Sequence, residues 1–101
     1  MPYMIDATDG PGRAELRKQV RPDHLTYVEA NVHRIIAAGA KLSDNGESAI
    51  GTLYLLDVEE RRAAEAFAAG DPYSKAGVFG TVTVTRWRKG FFDFKRLLPG
   101  S

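Results

Sequence analysis

The chain has 101 residues, and its 14 basic and 13 acidic side chains leave a formal net charge of only +1. This balance gives no general attraction for nucleic acid or for an anionic membrane surface, so we expect neither as a partner. The absence of cysteine excludes a disulfide framework, a zinc-thiolate site and a thiol nucleophile. A hydrophobic fraction of 44% is ordinary for a single globular domain.

The N-terminal segment "MPYMIDATDGPGR" has no basic stretch followed by an apolar run, so we predict no signal peptide. No apolar run approaches the roughly 18 residues that a membrane-spanning helix needs. We therefore expect a cytoplasmic protein.

The first half of the chain predicts a strand and a long helix. "PYMIDA" is short and apolar, and the "TDGPG" that follows predicts a turn. Because Pro22 lacks a backbone donor, we place it at the start of the main helix, after a shorter helical piece, and Gly39 at the end of that helix. The predicted buried stripe of this helix consists of Leu25, Val28, Val32, Ile35 and Ile36.

The middle of the chain predicts two strands and a second helix. "AKLSDNGESA" indicates a short second strand and a turn, and the aliphatic "IGTLYLLDV" indicates a third strand. "EERRAAEAFAAG" is helical in composition. Its predicted apolar face is Ala63, Ala66 and Phe67, and Gly70 ends it.

"TVTVTRWRK" alternates as a half-buried strand does, with Val82 and Val84 on one face. The other face is predicted to hold Thr81, Thr83, Thr85 and Trp87. The order β-α-β-β-α-β predicts an α+β fold of the ferredoxin-like type, in which both helices cover one face of an antiparallel sheet.

The opposite sheet face carries Trp87 beside either Tyr54 or Leu55, which makes it too apolar to face water. We predict that a second copy of the chain covers it in a symmetric homodimer. A solvated, threonine-rich face with one tolerated aromatic side chain is the alternative.

The domain is predicted to span residues 1–89, with a C-terminal tail over residues 90–101. The tail, "GFFDFKRLLPGS", would form an adhesive patch if it were exposed. It either packs back on the domain or reaches a partner subunit, and the sequence leaves both possibilities open.

The chain has no glycine-rich phosphate loop, no His-Glu-x-x-His helix and no nucleophile elbow. His24 and His33 fall on the same predicted helix at a spacing that separates them by about 180° around its axis. They cannot share an ion within one chain, so we predict no metal and no cofactor.

His24 lies about 65° from the centre of the predicted buried stripe, at the half-buried border of the core. An imidazole at such a border is accessible to a ligand and is suited to proton transfer. The alternative is a structural histidine that bonds a backbone group at the start of the helix.

Asp71, in "GDPYSKAG", is predicted to cap one helical turn, because Asp-Pro is a favoured helix start. Its second carboxylate oxygen would remain free to hold a histidine. Asp9 follows the first strand and could lie near His24. Arg17 and Arg21 could bind a carboxylate or enolate oxygen, or could be solvated helix charges.

Together these segments resemble the YCII-related domain family over about residues 3 to 89. The resemblance lies in an Asp before a Pro/Gly turn, the "R…RPDHL" segment, the "GTLYLLD" strand, and "DPYSKAGVF" leading into "VTVTRWRK". The chain departs from many members at "KLSDNGESA", where it lacks the Gly-Pro that often follows the second strand; this loop would line the pocket.

The resemblance implies a dimeric α/β-barrel with a pocket between sheet and helices and a catalytic pair, which here is His24 and Asp71. It also assigns Asp9, Arg21 and Tyr73 to the site. Some relatives are linked to the degradation of hydroxylated or chlorinated aromatics, and the wider superfamily includes a muconolactone isomerase.

We therefore predict a cofactor-free lyase or isomerase that acts on a small oxygenated or anionic metabolite, such as an aromatic or a lactone. His24 is the predicted general acid or base, Asp71 fixes its tautomer, and Arg17 or Arg21 holds developing negative charge. The alternative is a non-catalytic dimeric module that binds a small molecule or a protein.

Overall fold

The computed structural model describes residues 2–99 and contains one four-stranded antiparallel sheet. Its elements, in chain order, are β1 (Tyr3–Asp9), α1 (Ala14–Ala30), a 3-10 turn (Val32–Arg34), β2 (Ile35–Leu42), β3 (Ala49–Leu56), α2 (Arg61–Gly70), α3 (Pro72–Lys75) and β4 (Phe79–Arg86). The strand order across the sheet is β2-β3-β1-β4. This order and topology confirm the predicted α+β, ferredoxin-like fold.

The core lies between the sheet and α2. Alternate residues of β1 and β3 face it, and α2 adds Ala64, Phe67 and Ala68. The predicted apolar face of α2 was wrong at two positions, because Ala63 is half-buried and Ala66 is exposed. Several alanine stripes are equally apolar in this helix, and the packing of Phe67 against the sheet selects one of them.

α1 is one continuous helix from Ala14, so the prediction that Pro22 begins the main helix was wrong. Pro22 lies inside α1, where it removes one backbone donor from the helical hydrogen-bond ladder. The helix nevertheless continues through it. The contacts of Arg17 on one side of Pro22 and of His24 on the other hold both halves of α1 against the domain.

The segment assigned to the end of the main helix is strand β2, and Gly39 lies within that strand. The predicted stripe therefore joined residues of three different elements, α1, the 3-10 turn and β2. Leu25 and Val32 are exposed, at 38% and 64%. The two isoleucines that open β2 are β-branched, and Ile35 pairs with Leu56 of β3. A helix and a strand that follow without a strong breaker cannot be separated by periodicity alone.

The sheet face opposite the helices is formed by the other set of alternating residues. On it Met4 lies between Leu55 and Thr85, whereas Tyr54 is on the core side and is 1% exposed. Placing Tyr54 on this face was therefore wrong, and the alternative, Leu55, is correct. The same face carries an ion pair in which Lys41 Nζ lies 2.6 Å from Asp6 Oδ1.

The C-terminal tail forms a two-stranded hairpin, β5 (Phe91–Phe92) and β6 (Lys95–Arg96), outside the main sheet. Asp93 and Phe94 form its turn with positive φ angles of 54° and 60°, which is the backbone of a tight hairpin turn. Phe94 is fully exposed at its tip.

Candidate functional site

A cavity of about 250 Å³ lies between α1 and the β2–β3 half of the sheet. α1 lines one side with Arg17, Arg21 and His24, and the small residues 38–40 of β2 line the other side. Because these β2 side chains are small, the sheet does not close against the helix here. Space for a ligand remains directly beside the polar face of α1.

His24 and Asp71 meet beside this cavity. The Nδ1 atom of His24 lies 2.9 Å from Oδ1 of Asp71, and the two residues are 8% and 0% exposed. An ionised carboxylate only accepts hydrogen bonds, so Nδ1 carries the ring proton and donates a hydrogen bond to Asp71 Oδ1. No protein partner of His24 Nε2 is recorded within residues 2–99, and the imidazole lines the cavity. His24 is more buried than the predicted half-buried border position.

Asp71 receives three hydrogen bonds. It caps α3, as predicted, because the Tyr73 N–H donates to Oδ1 at 2.9 Å. The prediction that the second oxygen would hold His24 was wrong, since Oδ1 accepts from both groups and Oδ2 accepts from the Tyr54 hydroxyl at 2.6 Å. Three donors compensate for the burial of this carboxylate.

Tyr54 is the site residue that sequence reasoning missed. Burial and the hydrogen bond to Asp71 raise its pKa, so the hydroxyl stays protonated and remains a donor at neutral pH. Strict alternation along β3, counted from the buried Leu56, would have placed Tyr54 on the helix-covered face beside Asp71.

Tyr73 lies between the cationic and the imidazole parts of the site. Its ring stacks on His24, with 3.9 Å between centroids and 18° between planes. The Arg17 guanidinium carbon lies 4.5 Å from the centroid of the Tyr73 ring. Burial raises the pKa of Tyr73, while Arg17 and Arg21 act in the opposite direction. The ring therefore restricts both neighbouring side chains.

Both terminal nitrogens of the Arg17 guanidinium are engaged within the protein. Its Nη1 lies 2.9 and 3.0 Å from the two carboxylate oxygens of Asp9. Its Nη2 donates to the carbonyl of Gly51 and the hydroxyl of Thr52, both at 3.1 Å. Asp9 thus joins the site through Arg17 and has no hydrogen bond with His24. The Asp9 carboxylate neutralises the buried guanidinium charge.

Arg21 differs from Arg17, one helical turn away. It is exposed at the edge of the cavity, and no hydrogen bond or ion pair of its side chain is recorded in the described part of the chain. Its guanidinium is therefore available to an anionic group.

The YCII-related domain matches residues 1–88, which is most of the chain. The chain belongs to the YCII-related domain family. It is 34% identical to Protein YciI of Escherichia coli O6:H1 over 98 residues, covering 90% of this chain and all of that protein. An uncharacterised protein of Haemophilus influenzae is 33% identical over the same coverage.

A solved structure is similar over the same domain. It is the 5-chloro-2-hydroxyhydroquinone dehydrochlorinase TftG of Burkholderia phenoliruptrix, in complex with 2,5-dihydroxybenzoquinone. The TM-score is 0.80 at 27% sequence identity, and the match covers 87% of this chain and 94% of that one.

The turn between β2 and β3 borders a second cavity of about 300 Å³. Arg17, Arg21 and Tyr73 line this outer cavity as well as the inner one, and Lys18 and Glu47 add charges of opposite sign. The two cavities therefore meet at Arg21 and Tyr73.

His33 is exposed in the 3-10 turn after α1, so it does not lie on the helix of His24 as predicted. Across residues 2–99, no group of three or more histidine, aspartate or glutamate side chains is arranged to hold a metal ion. None of the helices in that range is long and apolar enough to cross a membrane.

Proposed function

We propose that this protein catalyses a cofactor-free elimination or isomerisation of a small oxygenated ring compound, by general acid–base chemistry at His24. The observation that carries the proposal is the fixed imidazole. A buried carboxylate holds the Nδ1 proton of His24 while the ring borders a cavity. In this tautomer Nε2 has a free lone pair, which can accept a proton from a substrate.

In the proposed reaction, Nε2 removes a proton from a hydroxyl or an activated carbon of the substrate. In an elimination, the electron pair left behind expels the leaving group as an anion, and the imidazolium then gives the proton to solvent. In an isomerisation, the electron pair shifts within the ring, and the imidazolium returns the proton at another position. Asp71 stabilises the imidazolium that forms and keeps its orientation. Positioned proton transfer of this kind contributes about 10²- to 10⁴-fold in rate.

The cavity size limits the substrate class. An apolar cavity of about 150 Å³ is sufficient to bind benzene. The inner cavity, at about 250 Å³, is larger than this and has room for one ring with a few substituents. We propose a single-ring substrate with hydroxyl or oxo groups.

Arg21 is the proposed anion-binding group. The two terminal guanidinium nitrogens of Arg17 bind Asp9, Gly51 and Thr52. Arg21 borders both cavities without a recorded partner in the described residues, so it can bind a phenolate or enolate oxygen. In this proposal Asp9 and Arg17 form the wall of the site, and Tyr73 supplies an aromatic surface.

The similarity to TftG supports the reaction class. The name of that protein describes the removal of hydrogen chloride from a hydroxylated ring, and a dihydroxybenzoquinone is its bound ligand. At 27% identity this similarity suggests which compounds to test first.

The test is turnover of 5-chloro-2-hydroxyhydroquinone, followed by chloride release and by the ultraviolet spectrum. We expect measurable turnover by the wild type and a loss of at least about 10²-fold in His24→Ala. His33→Ala is the matched control, because it removes an exposed histidine of the same chain. Full turnover by His24→Ala would contradict the proposal.

A second measurement separates catalysis from binding alone. Binding of 2,5-dihydroxybenzoquinone is followed by thermal shift for the wild type and for Arg21→Gln. The non-catalytic binding module would be favoured by two results together. Arg21→Gln would weaken binding of the quinone, and the wild type would turn over neither this ring class nor lactones.

We further propose that the sheet face opposite the helices is the interface of a homodimer. Met4, Leu53 and Leu55 give this face an apolar centre next to the Asp6–Lys41 ion pair. Light scattering coupled to gel filtration would give the mass. Leu55→Lys would place charges in that centre and is expected to yield monomers, whereas an unchanged dimer would place the interface elsewhere.

A further inference from the structure

The buried network beside the cavity contains one group that the proposed chemistry does not yet use, the hydroxyl of Tyr54. It lies 2.6 Å from Oδ2 of Asp71, which is the carboxylate oxygen that contacts neither His24 nor the backbone of α3. Tyr54 is 1% exposed and Asp71 is 0% exposed, so water cannot readily replace this bond.

We infer that Tyr54 is the positioning residue of the site, which fixes the Asp71 carboxylate so that His24 is held with its Nδ1 protonated and its Nε2 towards the cavity. Without the Tyr54 hydroxyl, Oδ2 would be a buried acceptor with no recorded partner. The carboxylate would then reorient towards other donors, and the direction of the bond to His24 would no longer be defined.

The surroundings of Tyr54 explain how it can do this. Its ring belongs to the hydrophobic core and meets Phe67 edge to face, with 4.9 Å between centroids. Its hydroxyl reaches the polar site. One rigid side chain therefore connects the packed core to the carboxylate, and the carboxylate connects to the imidazole.

The titratable groups around His24 come from three parts of the fold. α1 supplies Arg17 and Arg21, the α2–α3 junction supplies Asp71 and Tyr73, and β3 supplies Tyr54. The part of β2 that lines this cavity contributes none, because residues 38–40 are alanine and glycine. Among these groups, Tyr54 alone donates to the Oδ2 atom of Asp71.

The experiment uses the tautomer of His24, read from its ¹⁵N ring signals in the ligand-free protein. We expect the wild type to show protonated Nδ1 and free Nε2, and Tyr54→Phe to show a mixture of tautomers. Tyr27→Phe is the matched control, because it removes a tyrosine hydroxyl that donates to the carbonyl of Phe67 instead. A Tyr54→Phe spectrum identical to that of the wild type would overturn the inference.

The inference about activity rests on the proposed role of His24, and kinetics test that part separately. Tyr54→Phe is expected to lower kcat about 10- to 100-fold with KM changed less than about twofold. Losses of this size follow the removal of the hydrogen-bond partners that orient metal-ligating histidines. In an Asp71→Asn background the same substitution should have no further effect. If no substrate is ever found, the tautomer result still decides the role of Tyr54.

A measurement on Asp71→Asn guards against a Tyr54→Phe variant that does not fold. Tyrosine ring carbons labelled with ¹³C report the ionisation of Tyr54. Burial, and after it the hydrogen bond to Asp71 and the charge of Asp71, raise the pKa of Tyr54, so Asp71→Asn should lower that pKa. An unchanged titration of Tyr54 would also overturn the inference.

Discussion

The cavity region and the C-terminal hairpin differ in whether their side chains find partners within the same chain. Around the cavity, buried polar groups from different elements are paired with one another: Asp9 with Arg17, and His24 and Tyr54 with Asp71. In the hairpin, Phe91 is 67% exposed. Arg96 lies over the Phe91 ring within the hairpin, and Lys89, the residue just before the tail, lies over the Phe92 ring.

This difference shows that one copy of the chain completes the hydrogen-bonding network of the cavity but leaves the hairpin with exposed aromatic surface. Isolated hairpins of two strands are marginal in water without a surface to pack on. We propose that residues 90–101 form a unit separate from the domain of residues 1–89, which contacts the partner subunit. The first two predictions test each region in turn, the third tests whether the hairpin packs on the domain, and the fourth tests the buried tyrosines around the cavity.

The largest effect is expected for Asp9→Asn, which leaves the buried Arg17 guanidinium without its counter-ion. The two side chains are 9% and 10% exposed, and breaking such a buried pair costs about 3 to 5 kcal/mol. Denaturant unfolding measures this loss. Glu15→Gln is the control, because the Glu15–Lys18 pair is exposed at 3.7 Å and should contribute less than about 1 kcal/mol. Equal losses in both variants would mean that burial of the Arg17–Asp9 pair is not decisive.

Deletion of residues 90–101 should weaken self-association at least about tenfold, which corresponds to about 1.4 kcal/mol. Sedimentation at several protein concentrations measures the dissociation constant. The His24 ring signals should stay unchanged, because no hairpin residue lines the inner cavity. An unchanged dissociation constant and unchanged solubility would refute an interface role for the tail.

A smaller effect is expected for Phe94→Ser at the hairpin tip. Because Phe94 is fully exposed, its replacement should change the free energy of unfolding of the domain by less than about 0.5 kcal/mol. Phe67→Ala is the contrast, since Phe67 is 1% exposed in the core and its truncation costs about 3 to 5 kcal/mol. A large loss in Phe94→Ser would show that the tail packs on its own domain.

The smallest effect is a loss of stability at alkaline pH. Burial raises the pKa of Tyr54, Tyr73 and Tyr27, so each keeps its proton in the folded state at a pH where the unfolded chain loses it. The stability that this provides is complete below the ordinary tyrosine pKa of about 10, and it falls as the pH rises towards the folded values. Between pH 9 and 11, the free energy of unfolding should fall less steeply with pH for Tyr54→Phe than for the wild type. An identical slope would mean that Tyr54 ionises normally.

The order of strands and helices could be read from the sequence because local patterns encode it. Aliphatic composition marked the strand containing Tyr54, alternation marked the strand containing Val84, and Gly70 with Asp71 marked the junction of two helices. Pairing of His24 with Asp71 came from the family resemblance, since the helical stripe used to position His24 was itself misassigned. The residues of α1 that line the cavity form a different helical stripe, which contains Arg17, Arg21, His24 and Val28.

By itself, the sequence determined the fold class, the capping role of Asp71 and the turns that follow β1 and β2, because hydrophobic period and backbone preference are local properties. Only the tertiary structure decided the end of α1, the strand that contains Gly39, and the hydrogen bond from Tyr54 to the buried Asp71. These features depend on pairing between distant segments. A buried carboxylate binds whichever donors the packed sheet and helices bring within reach, and no local pattern specifies them.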